Sequence, residues 1–272
     1  MTETITPLRA ATHSDRSWRP SSGYGFAASS IIAPIAGEEL AHAATQFALA
    51  FLEGEHPALV TLLGLRPQQN LYVGPDGQWL GQYVPAVLRG YPFKLMPAEN
   101  NQFALGYDEG SGLLAGAGEG EAFFDAEGRP TERIQQILQF LIGVHKGVEA
   151  IGRAGAKLAS HGLLEPWPLK VRDGDTEIPV NGLFRVNEAK LGAIDDAAFL
   201  ELRSGGVLAV AYAQLLSMTN MGNLGKLAQL HAQHAAVSAK REAEIESMFQ
   251  PIQAEDEIDW DAMLNDVKDI KD

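Results

Sequence analysis

The densest recognition chemistry in the sequence lies between Asn70 and Phe93. Trp79, Tyr83, Tyr91 and Phe93 fall there with Tyr72, and Arg89 is the only cation among them. Arginine carries a planar fork of donors that matches a carboxylate, and it stacks on aromatic faces. The segment therefore reads as a pocket for a small carboxylate, a peptide or an aromatic group. A second reading stays open. Aromatics commonly serve as packing residues, so the same segment could be a core corner in which Arg89 caps carbonyls or pairs with an acid.

Other motifs carry less. The sequence has no cysteine, which removes disulfides, thiolate metal sites and cysteine nucleophiles. Gly116-Ala-Gly118-Glu-Gly120 lacks the third glycine of a dinucleotide fingerprint, and Glu119 and Glu121 would repel a pyrophosphate, so it reads as a loop. Gly222-Asn-Leu-Gly225-Lys226 lacks the spacing and the hydroxyl of a phosphate-binding loop. His231 and His234 share a helix face without a third ligand and read as solvent-facing. His13-Ser-Asp15 lies in a polar stretch, and no Gly-x-Ser-x-Gly elbow accompanies Ser160-His161. No metal site and no cofactor is expected.

Charge is distributed unevenly. The net charge is −14 over 272 residues, and Lys240 to Asp272 contributes eleven acids against four bases. Clustered Lys and Arg are missing, so nucleic acid is not an expected partner. Within that tail Ile258, Trp260, Met263, Leu264 and Val267 recur at mostly three- or four-residue spacing among acids. The pattern is an amphipathic helix that could dock into a protein partner's groove, with Trp260 and Leu264 as anchors; the composition equally suits a disordered solubilising tail. Met1 to Trp18 has no apolar run of signal-peptide length. The longest apolar run, starting at Val207, falls short of the ~20 residues that span a bilayer. The expectation is a soluble cytoplasmic protein with no transmembrane segment, and signal-less export stays open.

Several elements would position the Arg89 corner. Pro85 starts a helical turn that ends at Gly90. Glu38 to Phe51 begins with helical spacing, while Phe47 to Leu52 could be a buried strand, and Pro57 to Leu63 reads as another strand. Hairpins are expected around Pro75-Asp76-Gly77, Asp125 to Gly128 and Asp173-Gly174, with Pro179 on an edge strand. Thr131 caps a helix to Ser160, whose four glycines predict close packing or a break near Gly152. Further helices are expected at Asp195–Arg203, Val207–Met218 and Leu224–Ser247. Strands early and helices late give an α+β fold: a single domain with an antiparallel or mixed sheet, several hairpins and packed helices, plus the acidic tail. The expected organisation is an N-terminal arm over 1–22, a domain over 23–239 and a tail over 240–272.

The block Tyr83-Val-Pro-Ala-Val-Leu-Arg89-Gly-Tyr-Pro-Phe93 resembles the bacterial SapC family pattern Y-I-P-A-x-L-R-R-Y-P-F. Trp18, Tyr24-Gly-Phe26, Asn70-Leu-Tyr-Val73 and Gly77-Gln-Trp79 extend the likeness, which reaches about Met218. Gly90 stands where the family usually has a second arginine, which weakens a paired-arginine site. The family name derives from a surface-layer-associated protein. The resemblance implies a link to cell-surface or nutrient-uptake systems and supplies no catalytic residues; with no complete catalytic motif beside the two recognition candidates, the leading expectation is an accessory or binding protein. Two other classes stay open: a surface-layer structural component, and an enzyme acting on a peptide or amino acid. For the enzyme, Arg89 would hold a carboxylate and Asp108, Asp125 or Glu188 would do acid–base work.

Overall fold

The computed structural model describes residues 4–54, 57–98, 102–173 and 176–248. The chain divides into two compact units, Met1–His231 and Ala232–Asp272. In the first, helices accompany antiparallel sheets, an α+β arrangement.

Short strands with remote partners build its sheets. β1 (Ile5–Pro7), β6 (Phe93–Pro97) and β7 (Phe103–Asp108) pair in the order β1-β7-β6. β2 (Arg16–Trp18) lies between β8 (Leu114–Gly116) and β9 (Glu121–Ala122). A five-stranded sheet joins β3 (Ile32–Pro34), β4 (Leu49–Leu52), β5 (Leu59–Leu62), β10 (Leu164–Pro166) and β13 (Leu183–Val186) in the order β10-β13-β4-β5-β3. β11 (Leu169–Asp173) and β12 (Thr176–Val180) form a separate hairpin, so Pro179 does sit on an edge strand. The other two hairpin signals give single bridges, Val73 with Trp79 and Phe124 with Pro130, with Gly77 and Gly128 at positive φ.

Residues 4–22, expected as an arm, are woven into two of these sheets. Ile5 aligns with Asp108 and Trp18 with Leu114, and α1 (Ala10–His13) sits between the two strands. Three-residue strands show no readable period, so only their distant partners reveal them.

Glu38 to Phe51 holds both of its expected structures: α2 (Leu40–Gln46) turns directly into β4. α3 (Ala86–Arg89) is the single turn after Pro85. α4 (Glu132–Ser160) begins at Thr131, whose hydroxyl accepts from the Ile134 N–H at 3.5 Å. It buries Ile134, Leu141, Val144, Ile151 and Leu158, and it runs unbroken through Gly152. Gly147 and Gly155 permit close approach. A Cβ on Gly155 would lie 2.2 Å from the Pro57 carbonyl oxygen, and one on Gly147 would lie 2.8 Å from the Ala36 Cβ.

α5 (Glu188–Gly192) and α6 (Asp196–Arg203) follow, the latter capped by Asp195. Gly205 and Gly206, both at positive φ, redirect the chain into α7 (Val207–Ser217). α7 is fastened to the sheet by buried polar groups. The Gln214 amide donates to the Leu49 carbonyl and accepts from the Val186 N–H, and Ser217 accepts from the Leu49 N–H. α8 (Met221–Met248) buries Leu224 and Leu227 near its start. In the second unit the described residues, 232–248, are helical and carry the Lys240–Glu244 pair at 4.0 Å. The expected tail anchors Ile258, Trp260, Met263, Leu264 and Val267 lie outside the described residues. Among those described, no helix is long and apolar enough to cross a membrane.

Two glycines of α4 should respond oppositely to alanine. Gly155→Ala forces a methyl group onto Pro57 backbone and should cost about 2–4 kcal/mol in urea unfolding. Gly152 has nothing within 4 Å of a built Cβ, so Gly152→Ala should gain up to about 1 kcal/mol from helix propensity. Equal midpoints for the two variants would contradict the close approach of α4 to Pro57.

Candidate functional site

The corner around Arg89 is assembled from a buried carboxylate outward. Glu39 closes the 3-10 turn Gly37–Glu39 and is only 3% exposed. One of its oxygens accepts from the Ala36 N–H at 3.0 Å. The other accepts from the Tyr83 hydroxyl at 2.9 Å and from the Ala86 N–H at 2.8 Å. The last bond satisfies one of the free donors that begin α3. Arg89, at the end of that turn, donates through Nη2 to the Tyr83 hydroxyl at 3.2 Å.

The guanidinium is also held between two rings. Its carbon lies 5.5 Å from the centre of Tyr83 and 5.4 Å from the centre of Phe140 on α4. Each such contact contributes about 0.5–1 kcal/mol at an exposed site. His42 stacks on the Tyr83 ring at 5.4 Å. Burial, reinforced by the hydrogen bond and charge of Glu39, pushes the Tyr83 phenol up to about 12, with Arg89 opposing. The hydroxyl therefore remains a protonated donor to Glu39 while accepting from Arg89. Arg89 itself is exposed and, among the described residues, pairs with no carboxylate.

Two clefts meet at this side chain. The smaller, about 190 Å³, is lined by Trp18, Tyr24, Phe26, Tyr91 and Arg133. The larger, about 470 Å³, is lined by Ala36, Glu38, His42, Tyr83, Ala86 and Val144. Arg89 and Phe140 line both. The larger volume falls in the range of roughly 300–1,000 Å³ usual for ligand pockets.

The residues singled out in the sequence separate into wall and support. Tyr83, Arg89 and Tyr91 line the clefts, and Tyr91 is braced by a stack on Phe26 at 3.8 Å. Phe93 is 3% exposed and reaches the smaller cleft from the core, edge-on to Trp18 at 4.8 Å. Trp79 lines neither cleft. Its indole N–H donates to the Tyr83 carbonyl at 2.7 Å, and its ring packs on Tyr72 and Tyr24. It fixes the backbone that carries Tyr83.

The three acids lie elsewhere. Asp108 is 5% exposed and accepts from the N–H groups of Thr4 and Gly110, both at 3.1 Å. Asp125 holds its own turn through the N–H groups of Glu127 and Arg129 and the Arg129 guanidinium. Those bonds, the Arg129 N–H first, keep its carboxyl below the usual range. Glu188 opens α5 and lines a separate groove with Glu165 and Arg185. None of the three lines a cleft beside Arg89.

Some contributors were not singled out in the sequence. Glu39, Glu38, His42 and Phe140 come from α2 and α4 neighbours, and Arg133 brings a second guanidinium to the smaller cleft, 3.6 Å from Glu121. At Gly90 a Cβ would lie 2.5 Å from Leu141, so α4 occupies that space. The Ala36-Gly-Glu-Glu39 spacing, an acid three residues beyond a turn start, was the one available signal for Glu39. Two of the histidines make structural contacts. His231, expected to face solvent, bonds the Leu71 carbonyl at 3.0 Å, whereas His234 is exposed. His13 is buried, with Nε2 3.6 Å from Glu109.

Residues 8–224 match the sequence model of the SapC family. The chain belongs to the SapC family. The match contains every residue lining the two clefts, so the Arg89 corner lies within the SapC region, while the acidic segment from Lys240 lies beyond it. No curated protein and no solved structure matches this SapC chain.

The raised Tyr83 phenol gives a pH prediction. A folded-state value of about 12 against 10.0 unfolded makes its contribution full below pH 10 and lost as pH rises towards 12. Tyr72, also raised to about 12 by burial, acts in the same direction. Tyr83→Phe should therefore lose less stability than wild type across that window, while being less stable at neutral pH. Identical pH slopes for both proteins in urea unfolding would contradict the Glu39–Tyr83 arrangement.

Proposed function

We propose that this SapC protein is an accessory or binding protein, not a catalyst, and that it captures a small carboxylate or a peptide at the Arg89 corner. One observation carries the reading. An arginine oriented by Tyr83 and clasped between two aromatic rings stands at the meeting of two clefts with most of its donors unspent. A guanidinium that served only to tie the fold would be paired with an acid, and Arg89 is not. Its rigidity lowers the entropy lost on forming a bidentate contact with a carboxylate. Asp108, Asp125 and Glu188, the acids singled out in the sequence for acid–base work, are committed to turns or to another groove.

The family resemblance supports a setting in bacterial cell-surface or nutrient-uptake systems, with the protein acting from the cytoplasm. The segment from Lys240, with Trp260 and Leu264 as anchors, docks a protein partner through its acidic amphipathic pattern.

Calorimetric titration with 3-phenylpropanoate, a carboxylate on an aromatic body, tests the site. Wild type binds, Arg89→Ala loses about tenfold or more in affinity, and Arg89→Lys recovers only part because the fork is gone. Arg89→Ala binding as wild type does would remove the site from consideration. For the tail, truncation before Pro251 should abolish capture of its partner from cell extract while leaving the melting temperature within about 1 °C. Unaltered capture would defeat the docking role.

A further inference from the structure

The larger cleft holds a second charge without a partner. Glu38 is exposed, lines that cleft, and makes neither a hydrogen bond nor a salt bridge among the described residues. Its backbone is held through its neighbour. Glu39 beside it is anchored by three hydrogen bonds, and Glu38 lies across α4 where Gly147 leaves room. A Cβ on Gly147 would come 2.4 Å from a Glu38 carboxylate oxygen. Arg89 faces the same cleft with the opposite sign.

Two unpaired opposite charges on one surface would ordinarily swing together. Here Arg89 is held by Tyr83 and Phe140, the Glu38 carboxylate lies over α4 at Gly147, and the two form no salt bridge with each other. The cleft they share has an apolar part, Ala36, Ala86 and Val144, buried at 2%, 3% and 9% exposure, with Phe140, and a polar part that includes His42 and Gln139. Charges of both signs lining one cleft with an apolar patch complement a ligand that carries both signs and an apolar body. A lone carboxylate would answer Arg89 and leave Glu38 repelling it.

We propose that the larger cleft is a zwitterion subsite that takes an α-amino acid with an apolar side chain. The carboxylate meets Arg89, the ammonium meets Glu38, and the side chain lies on Ala36, Ala86 and Val144. The proposal rests on the reading of Arg89 as a carboxylate receptor and adds the ammonium half of the recognition.

The test is calorimetry with three matched probes: phenylalanine, 3-phenylpropanoate, which lacks the amine, and 2-phenylethylamine, which lacks the carboxylate. Each is titrated into wild type and into Glu38→Gln, a change at an exposed position that leaves the fold intact. Phenylalanine should bind wild type about five- to tenfold more tightly than 3-phenylpropanoate. Glu38→Gln should erase that advantage without weakening 3-phenylpropanoate. If the two carboxylates bind wild type equally and Glu38→Gln changes neither, the zwitterion subsite is wrong and the carboxylate reading stands. If 2-phenylethylamine binds as tightly as phenylalanine, or no probe binds, the carboxylate reading falls and this subsite with it.

Discussion

Glu39 places a carboxylate in the interior, and three donors, the Ala36 N–H, the Ala86 N–H and the Tyr83 hydroxyl, surround it. Burying a charge is costly unless it is hydrogen-bonded, and removing one partner leaves the penalty uncompensated. The three donors come from separate points of the chain: the entry to α2, the start of α3 and the segment between Trp79 and Pro85. The carboxylate therefore fixes their mutual positions. Arg89 takes its direction from Tyr83, so the orientation of the exposed cation follows from a buried anion. The corner can be rigid without Arg89 being paired, which leaves its donors for a ligand.

Two further constraints keep that corner in place. The first is the approach of α4. Gly147 and Leu141 bring the helix against the turn at Ala36–Gly37 and against Gly90, and that approach sets Phe140 beside the guanidinium. The second is the aromatic scaffold behind Tyr83. Trp79 holds its carbonyl, Tyr72 and Phe47 pack against Trp79, and Phe26 braces Tyr91. Edge and stacked contacts of this kind add about 0.5–1.5 kcal/mol each beyond burial. Pocket and packing corner, two readings of the same aromatic segment, prove to be two layers of one structure: Trp79 and Phe93 support, Tyr83 and Tyr91 face the clefts.

What could be seen in the sequence follows from the range of the forces involved. α4 was legible because a capping threonine and an apolar stripe are local signals. The β11–β12 hairpin and the Val73–Trp79 bridge were legible because an Asp-Gly pair is a local turn signal. The switch from α2 to β4 showed as a change of period within Glu38–Phe51. The Arg89 corner stood out by composition. Glu39 did not, because a glutamate beside another glutamate reads as surface, and only tertiary contacts with Tyr83 and Ala86 bury it. Phe140 lies off the apolar stripe of α4, and its role arises from Arg89, some fifty positions earlier. β1 and β2 were invisible for the same reason, since their partners lie about a hundred residues away. Asp108 and Asp125 looked like candidate acids by type alone; their neighbours' N–H groups define them as turn residues.

The central claim is that a buried carboxylate aims an exposed arginine through one tyrosine. A double-mutant cycle on 3-phenylpropanoate affinity with Glu39→Gln, Tyr83→Phe and the pair, each checked for a cooperative fold, tests it most directly. Neither side chain needs to touch the probe's carboxylate. If both act through Arg89, each single change weakens binding and the double change weakens it little more than one alone. Additive losses, or singles that bind as wild type does, would contradict the claim.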